Sequence, residues 1–278
     1  MEDIRNKIHK GIKYLFNGDY LSLIIGLRRE YYNFVFLLMK IRSAELVNPN
    51  IKVITKHHIA HESPDHIAPC GTMQDNSTNR TFIILINKLL AREFVDKQLN
   101  FMDLGCSGGQ LVRDFRDLGY ISVGLEGSDY SLKHKRANWP LLGGKNLFTC
   151  DIKEPFEVIS EDKIKFHLIT AWEVLEHIHK DDLDNIFLNI INHLEEGGYF
   201  IASTSSSSSY SNGLELHQTR MTNDEWRRYI QGKYRELTPV NLGLRYYEYV
   251  RYSTVGGENS FLIYKKVGQV NTIETNPI

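Results

Sequence analysis

The spacing of hydrophobic positions changes along the chain, and each change marks an element. Ile4, Ile8, Ile12 and Leu15-Phe16 recur at helical spacing until Asn17-Gly18-Asp19 interrupts them. A second helical segment, Tyr20 to Arg42, carries two apolar runs divided by Arg28-Arg29-Glu30, and Pro49 closes the region. Asn50 to Asn79 is polar and irregular, which predicts a loop or lid; Asn76 or Ser77 is placed to cap a helix over Arg80 to Lys97. Five short apolar runs then read as strands: Asn100–Leu104, Ile121–Leu125, Asn146–Cys150, Phe166–Ala171 and Tyr199–Ser203. Helices are expected between them at Gln110–Leu118 and at Asp182–Leu194, the latter with a buried stripe and a stop at Gly197-Gly198. Strand alternating with helix predicts a parallel sheet covered on both faces. Thr222 with Glu225 forms a capping box, and a hairpin follows: Leu244–Tyr252, a turn at Gly256-Gly257, and Ser260–Lys266. The serine-rich run Ser203–Ser211 reads as a mobile loop over the site.

At 278 residues and 42% hydrophobic content the chain can bury one full core with appendages. A formal charge of −1 implies no global attraction to nucleic acid. Cys70, Cys106 and Cys150 are odd in number and lack metal spacing, so a reducing, cytoplasmic setting is expected. No signal-peptide pattern opens the chain. The apolar stretch Tyr31–Ile41 is too short to span a bilayer, which needs about 20 residues. An interfacial membrane anchor is one reading of the N-terminal helices; the expected one is packing on the core or on a second copy, as in a homodimer.

The candidate chemistry centres on Asn100 to Gln110. A strand runs into the bend Gly105-Cys106-Ser107-Gly108-Gly109, and a helix starts at once. Such glycines let a ligand approach the main chain, and the helix start offers free N–H groups. No Gly-Lys-Ser/Thr closes the bend, which excludes a Walker loop, and G-x-G-x-x-G is not matched. Glu126 ends the next strand about 20 residues on, where a carboxylate suits a ribose diol.

The phrase D-L-G-C-x-x-G resembles the first motif of class I S-adenosylmethionine (SAM) methyltransferases, with Ser107 in place of the middle glycine. Glu126, Asp151-Ile152 and Trp172-Glu173-Val174-Leu175-Glu176-His177-Ile178 match later motifs of that family in order. The resemblance covers about Asn79 to Val267. It implies a seven-stranded Rossmann-like sheet with helices on both faces, and an N-terminal helical extension. It implies that Asp103, Gly105, Ser107 and Gly109 hold the methionine part of SAM, Glu126 the ribose, Asp151 and Ile152 the adenine, with Trp172 near the methyl group. Gln74, Asp75 and Asn76 are expected to fold over the site, as the segment before the first strand does in many of these enzymes. The expected organisation is a helical appendage (1–50), a lid (51–79), a methyltransferase domain (80–267) and a tail (268–278).

Glu173, Glu176 and His177 stand at i, i+3 and i+4, which on a helix puts them on one face, a set suited to Mg²⁺ or Mn²⁺. The E-x-x-E-H arrangement resembles small-RNA ribose methyltransferases and some quinone-pathway O-methyltransferases. By that resemblance His217, before Thr222, is the fourth ligand, and His177 or His217, when not coordinated, takes the acceptor's proton. His57, His58, His61 and His66 have mixed spacing and read as loop residues. The expected activity is metal-assisted O-methyl transfer to a sugar hydroxyl of a glycan or related saccharide. RNA ribose or a small metabolite is the alternative acceptor, with nucleic acid less favoured by the charge, and a non-catalytic SAM-fold module is the third reading.

Overall fold

The computed structural model describes residues 2–42, 50–251 and 259–268; Pro49, the turn at Gly256-Gly257 and the C-terminal tail lie outside the described residues. In chain order the helices are α1 (Glu2–Phe16), α2 (Tyr20–Arg42), α3 (Pro64–Ile67), α4 (Cys70–Gln74), α5 (Arg80–Glu93), α6 (Gln110–Arg116), α7 (Tyr130–Lys133), α8 (Trp139–Leu142), α9 (Leu183–His193) and α10 (Asn223–Lys233). The strands are β1 (Lys52–Thr55), β2 (Asn100–Leu104), β3 (Ile121–Glu126), β4 (Leu147–Thr149), β5 (Phe156–Ile159), β6 (Phe166–Trp172), β7 (Leu194–Ser205), β8 (Tyr210–Ser211), β9 (Leu214–Glu215), β10 (Leu237–Pro239) and β11 (Asn259–Lys266).

Seven strands form one sheet in the order β10-β11-β7-β6-β2-β3-β4. Pairing is parallel from β4 to β7 and antiparallel at β7–β11 and β11–β10. The chain winds from β2 outward to β4, then returns to lay β6 on the other side of β2. The strand order therefore reverses between β2 and β6, and the crevice beyond their carboxyl ends is where such sheets take ligands. β6 is buried at every position, as a central parallel strand covered on both faces must be. On one face lie α9 and α10, whose Phe187, Ile190, Trp226 and Ile230 join the core around Met102 and Ile169. On the other lie α5 and α6, with Phe82, Ile86 and Phe115 against Phe101 and Leu168.

Several boundaries differ from the sequence reading. The glycines Gly197 and Gly198 do not stop α9 but lie within β7. A Cβ at Gly198 would stand 3.0 Å from the Phe166 carbonyl oxygen, and the β6–β7 register shifts between Phe166 and Leu168. Leu244–Tyr252 is not a strand where described; it holds a 3₁₀ turn at Tyr246–Glu248, and β10 takes its place beside β11. The irregular stretch after Asn50 contains β1, which pairs with the unanticipated β5. α2 packs its inner face on the domain: Phe36 is buried under the Arg80 guanidinium (4.6 Å to the ring centre), and Lys40 reaches Asp117 at 2.6 Å.

α5 is capped by Asn79, not by Asn76 or Ser77. The Asn79 side chain accepts from the Thr81 N–H (3.0 Å) and donates to the carbonyls of Tyr247 (3.1 Å) and Tyr249 (2.8 Å). One amide thus starts the helix and ties down the segment that carries Arg251. Asn79→Ala should lower stability by about 2–3 kcal/mol, the loss of a cap plus two stranded carbonyls. An unchanged urea midpoint would contradict this.

Candidate active site

The glycine bend turns sharply because three of its residues are left-handed: Gly105 (φ 67°), Ser107 (φ 46°) and Gly109 (φ 76°). Close packing reinforces the need for glycine. A Cβ at Gly105 would lie 2.5 Å from Val174 Cγ2, and one at Gly109 would lie 2.5 Å from Leu147 Cδ1. Ser107 holds its unusual conformation through three bonds. Its N–H donates to Glu126 Oε2 (2.7 Å), its hydroxyl to the Asp75 carbonyl (2.7 Å), and its carbonyl accepts from Trp139 Nε1 (2.7 Å). Glu126 also accepts from the Ser128 N–H (3.2 Å), so this carboxylate knits the ends of β2 and β3 together.

Above the bend a cavity of about 890 Å³ opens at the carboxyl ends of β2, β3 and β6. It brings together Gly105, Ser107, Glu126, Asp151, Ile152 and Trp172 on its walls, with Gln74 at its edge. Asp103 and Asn76 line a small adjoining recess of about 20 Å³ instead, and Arg251 lines both spaces. Asn76 lies against the bend, its Oδ1 2.5 Å from where a Gly108 Cβ would be. Gly109 lines neither space and serves as a packing point on Leu147.

Of the E-x-x-E-H residues, Glu173 and His177 also line the cavity and Glu176 does not, and the set takes a different geometry from the one expected. Residues Leu175–His177 form a single 3₁₀ turn, and Glu173 has φ 55°, so the set does not share one helix face. Glu173 accepts from the Ser203 hydroxyl (2.5 Å). Glu176 is fully buried; Oε1 accepts from the Ser205 N–H (2.8 Å), and Oε2 has no hydrogen-bond partner among the described residues. His177 Nδ1 lies 2.7 Å from Asp65 Oδ2, and His217 Nδ1 lies 2.6 Å from the Ser207 carbonyl oxygen. The two rings meet edge to face, 4.7 Å apart. Potential ligand atoms of Glu176, His177 and His217 all lie within 4.8 Å of one another, and Glu173 stands outside this cluster. The proposed four-residue set is thereby reduced to three.

Other candidates fall elsewhere. His57 faces Glu154 (3.7 Å), His58 the Thr149 carbonyl (3.3 Å), and His61 meets His66 edge-on (5.2 Å); the first three lie in loops as expected, whereas His66 belongs to α3. The serine-rich run is built into structure: Ser203–Ser205 completes β7, and β8 pairs with β9 beside the cavity. That hairpin is what delivers His217 to His177.

Electrostatics set these groups apart. Burial raises Asp103 and Glu126 to about 7 each, against the bonds from Thr170 to Asp103 (2.6 Å) and from the backbone to Glu126. Burial also pushes Glu176 upward, and the charge of Glu173 adds to it. Burial alone would lower His177, but the bond to Asp65 and the nearby carboxylates prevail and raise it. His217 is lowered, chiefly by burial.

A family model for a methyltransferase domain matches residues 77–242, more than half of the chain. The chain belongs to this methyltransferase-domain family. Among curated proteins, the mitochondrial ubiquinone biosynthesis O-methyltransferase of Candida albicans is 32% identical over 116 residues, 39% of this chain and 33% of that one. The ubiquinone biosynthesis O-methyltransferase of Pelagibacter ubique (strain HTCC1062) is 29% identical over 86 residues, 31% of this chain and 34% of that one. The chain matches about a third of the length of these curated relatives. Among solved structures, an S-adenosylmethionine-dependent methyltransferase from Clostridium acetobutylicum ATCC 824 shares the fold. Its TM-score is 0.51 at 16% identity, covering 71% of this chain and 96% of that one.

Three residues of this methyltransferase-domain protein were invisible in the sequence. Asp65 lies far from His177 in sequence, in α3, and its role is purely spatial. Arg251 forms an ion pair with Asp75, and Thr170 bonds Asp103 across paired strands. None belongs to a motif that spacing could have flagged.

The raised acids make stability depend on pH. Each has a folded-state value above its unfolded one near 4, so the fold favours the protonated form. This stabilisation is full below about 4 and is lost as pH rises through 7. The thermal midpoint of the ligand-free protein should therefore fall between about pH 5 and pH 8, and Asp103→Asn should flatten the slope. An equal slope in that variant would contradict the assignment.

Proposed function

We propose that the protein transfers the methyl group of SAM to a hydroxyl of a saccharide, with a divalent cation held by Glu176, His177 and His217. The observation that carries this reading is the unpartnered buried Oε2 of Glu176 beside two imidazoles. His217 Nδ1 is held on a backbone carbonyl and His177 Nδ1 lies against the Asp65 carboxylate, which turns each Nε2 away from these contacts. That is how metal-binding histidines are oriented, with the outer partner fixing the ring and its tautomer.

SAM fits the rest of the cavity. Glu126 accepts from the ribose hydroxyls, Asp151 and Ile152 meet the adenine, and Asp103 faces the ammonium group. Gly105, Ser107 and Gly109 shape the bend, and Arg251 offers a guanidinium to the carboxylate. Gln74 and Asn76 close the cofactor over from the lid side. A volume of about 890 Å³ lies high in the usual range of roughly 300–1,000 Å³ and leaves room for an acceptor beside SAM.

The acceptor oxygen forms a bond to the methyl carbon as the carbon–sulfur bond breaks, and its electron pair stays on sulfur in S-adenosylhomocysteine. Alignment by the two cavity walls supplies much of the rate. A divalent cation bound at the cluster supplies the Lewis acidity that lowers the hydroxyl pKa. With both imidazoles on the cation, the released proton passes to bulk water; a histidine that leaves the cation would take it instead. Asp65 orients His177 in either role.

The lining around His177 favours a neutral, polyhydroxylated acceptor. Glu62, Asp65, Glu173 and Asp182 border the same cavity and would repel phosphate, which argues against RNA. Oxygen as the acceptor atom also agrees with the O-methyl transfer named for the Candida and Pelagibacter relatives. The test is incubation with SAM and Mn²⁺ against simple and nucleotide sugars, a catechol and an RNA oligomer, read by mass spectrometry. A methyl ether on a sugar is expected; methylation of catechol or RNA alone would overturn the acceptor class.

A further inference from the structure

α1 and α2 carry an apolar face that nothing in the described chain covers. On α2, Tyr20, Ile24, Leu27, Tyr31, Phe34 and Leu38 are all exposed. Their spacing alternates four and three residues, the repeat of a seam between packed helices. On α1, Ile8, Ile12 and Leu15 continue the same spacing and are also exposed. The two helices run antiparallel: Lys7 bonds Glu30 at 3.2 Å, and Gly11 packs toward Leu23. Those contacts lie a quarter turn from the exposed stripe on each helix, so both stripes face the same side.

We propose that this face is a dimer interface between two copies of the chain, in which two N-terminal hairpins meet face to face as a four-helix layer. Nine large apolar side chains, each on the order of 200 Å² and roughly half exposed, present on the order of 1,000 Å². That exceeds the few hundred Å² a monomer usually leaves open and meets the roughly 800 Å² per partner of a stable interface. The charges are consistent with the seam. Residues 6–40 hold six Lys and Arg against two Asp and Glu, yet none of them falls on the stripe. Arg28 is paired with Glu248 (2.5 Å), Lys40 with Asp117, and Glu30 with Lys7. Lys10, Lys13 and Arg29 project to the side opposite the seam, whereas a lipid surface draws basic groups to the rim of an apolar face. A second copy is therefore the occupant that fits.

Light scattering on the full-length protein at tens of micromolar tests this. The expected mass is twice the 32.2 kDa of the chain. Leu27→Glu combined with Tyr31→Glu should halve it, with circular dichroism unchanged, because both side chains are more than half exposed. Ile24→Ser with Phe34→Ser is the second pair and should do the same; Lys13→Glu, on the far side, should leave the dimer intact. A monomeric wild type, or a dimer that survives both seam pairs, would overturn the proposal. So would a monomer that floats with phosphatidylserine vesicles, which would give the face to a membrane.

Discussion

Glu176→Gln and His217→Ala should each lower turnover by about 100-fold or more, with SAM affinity unchanged within about twofold. The effect is large because a hydroxyl acceptor at neutral pH is a poor nucleophile until a cation lowers its pKa. It spares SAM because neither residue lines the cavity itself; both cluster with His177, which does. Glu176 is the stringent position. Among the described residues its Oε2 is buried without a partner, a costly arrangement that a bound cation would relieve. Asp65→Asn should cost about 10–100-fold, the usual effect of removing the outer partner of a metal-bound histidine. Dialysis against EDTA should abolish activity, and Mg²⁺ or Mn²⁺ should restore it. Full activity in EDTA, together with a pH profile displaced by Asp65→Asn, would instead make His177 a metal-free general base.

Glu126→Ala should weaken SAM binding about 10–100-fold. Hydrogen bonds to a charged group are worth roughly 1.5–3 kcal/mol each, and about 1.4 kcal/mol is a factor of ten. The substitution also frees the Ser107 and Ser128 N–H groups, so it loosens the bend. Glu126→Gln separates the two effects, because one amide oxygen can still accept from the bend while the charge is gone. It should fall between alanine and the wild type. Equal affinity in all three would remove Glu126 from the cofactor site.

The sheet and the glycine bend were legible because local pattern dictates them. Continuous burial makes β6 a mostly apolar run, broken by His167 and Thr170, and the left-handed turns at Gly105 and Gly109 demand glycine. The acidic residue closing β3 followed from strand length and the position of the bend. What was hidden depends on contacts across the fold. The 3₁₀ turn at Leu175 breaks the helical spacing that seemed to unite Glu173 with Glu176 and His177. The Asp65 contact comes from α3, in a segment with no periodicity to read. The glycines Gly197-Gly198 look like a helix stop because a close strand crossing and a helix end call for the same residue. Leu244–Tyr252 alternates like a strand, yet its neighbour Asn79 uses two of its carbonyls as cap acceptors instead.

The decisive measurement is calorimetric titration of SAM, and separately of S-adenosylhomocysteine, into the wild-type chain, with Glu126→Ala beside it. The cavity over the glycine bend should take up one equivalent of either molecule, with the loss described above in the variant. No saturable heat with either ligand in the folded wild-type protein would contradict the assignment of this cavity to a methyl donor.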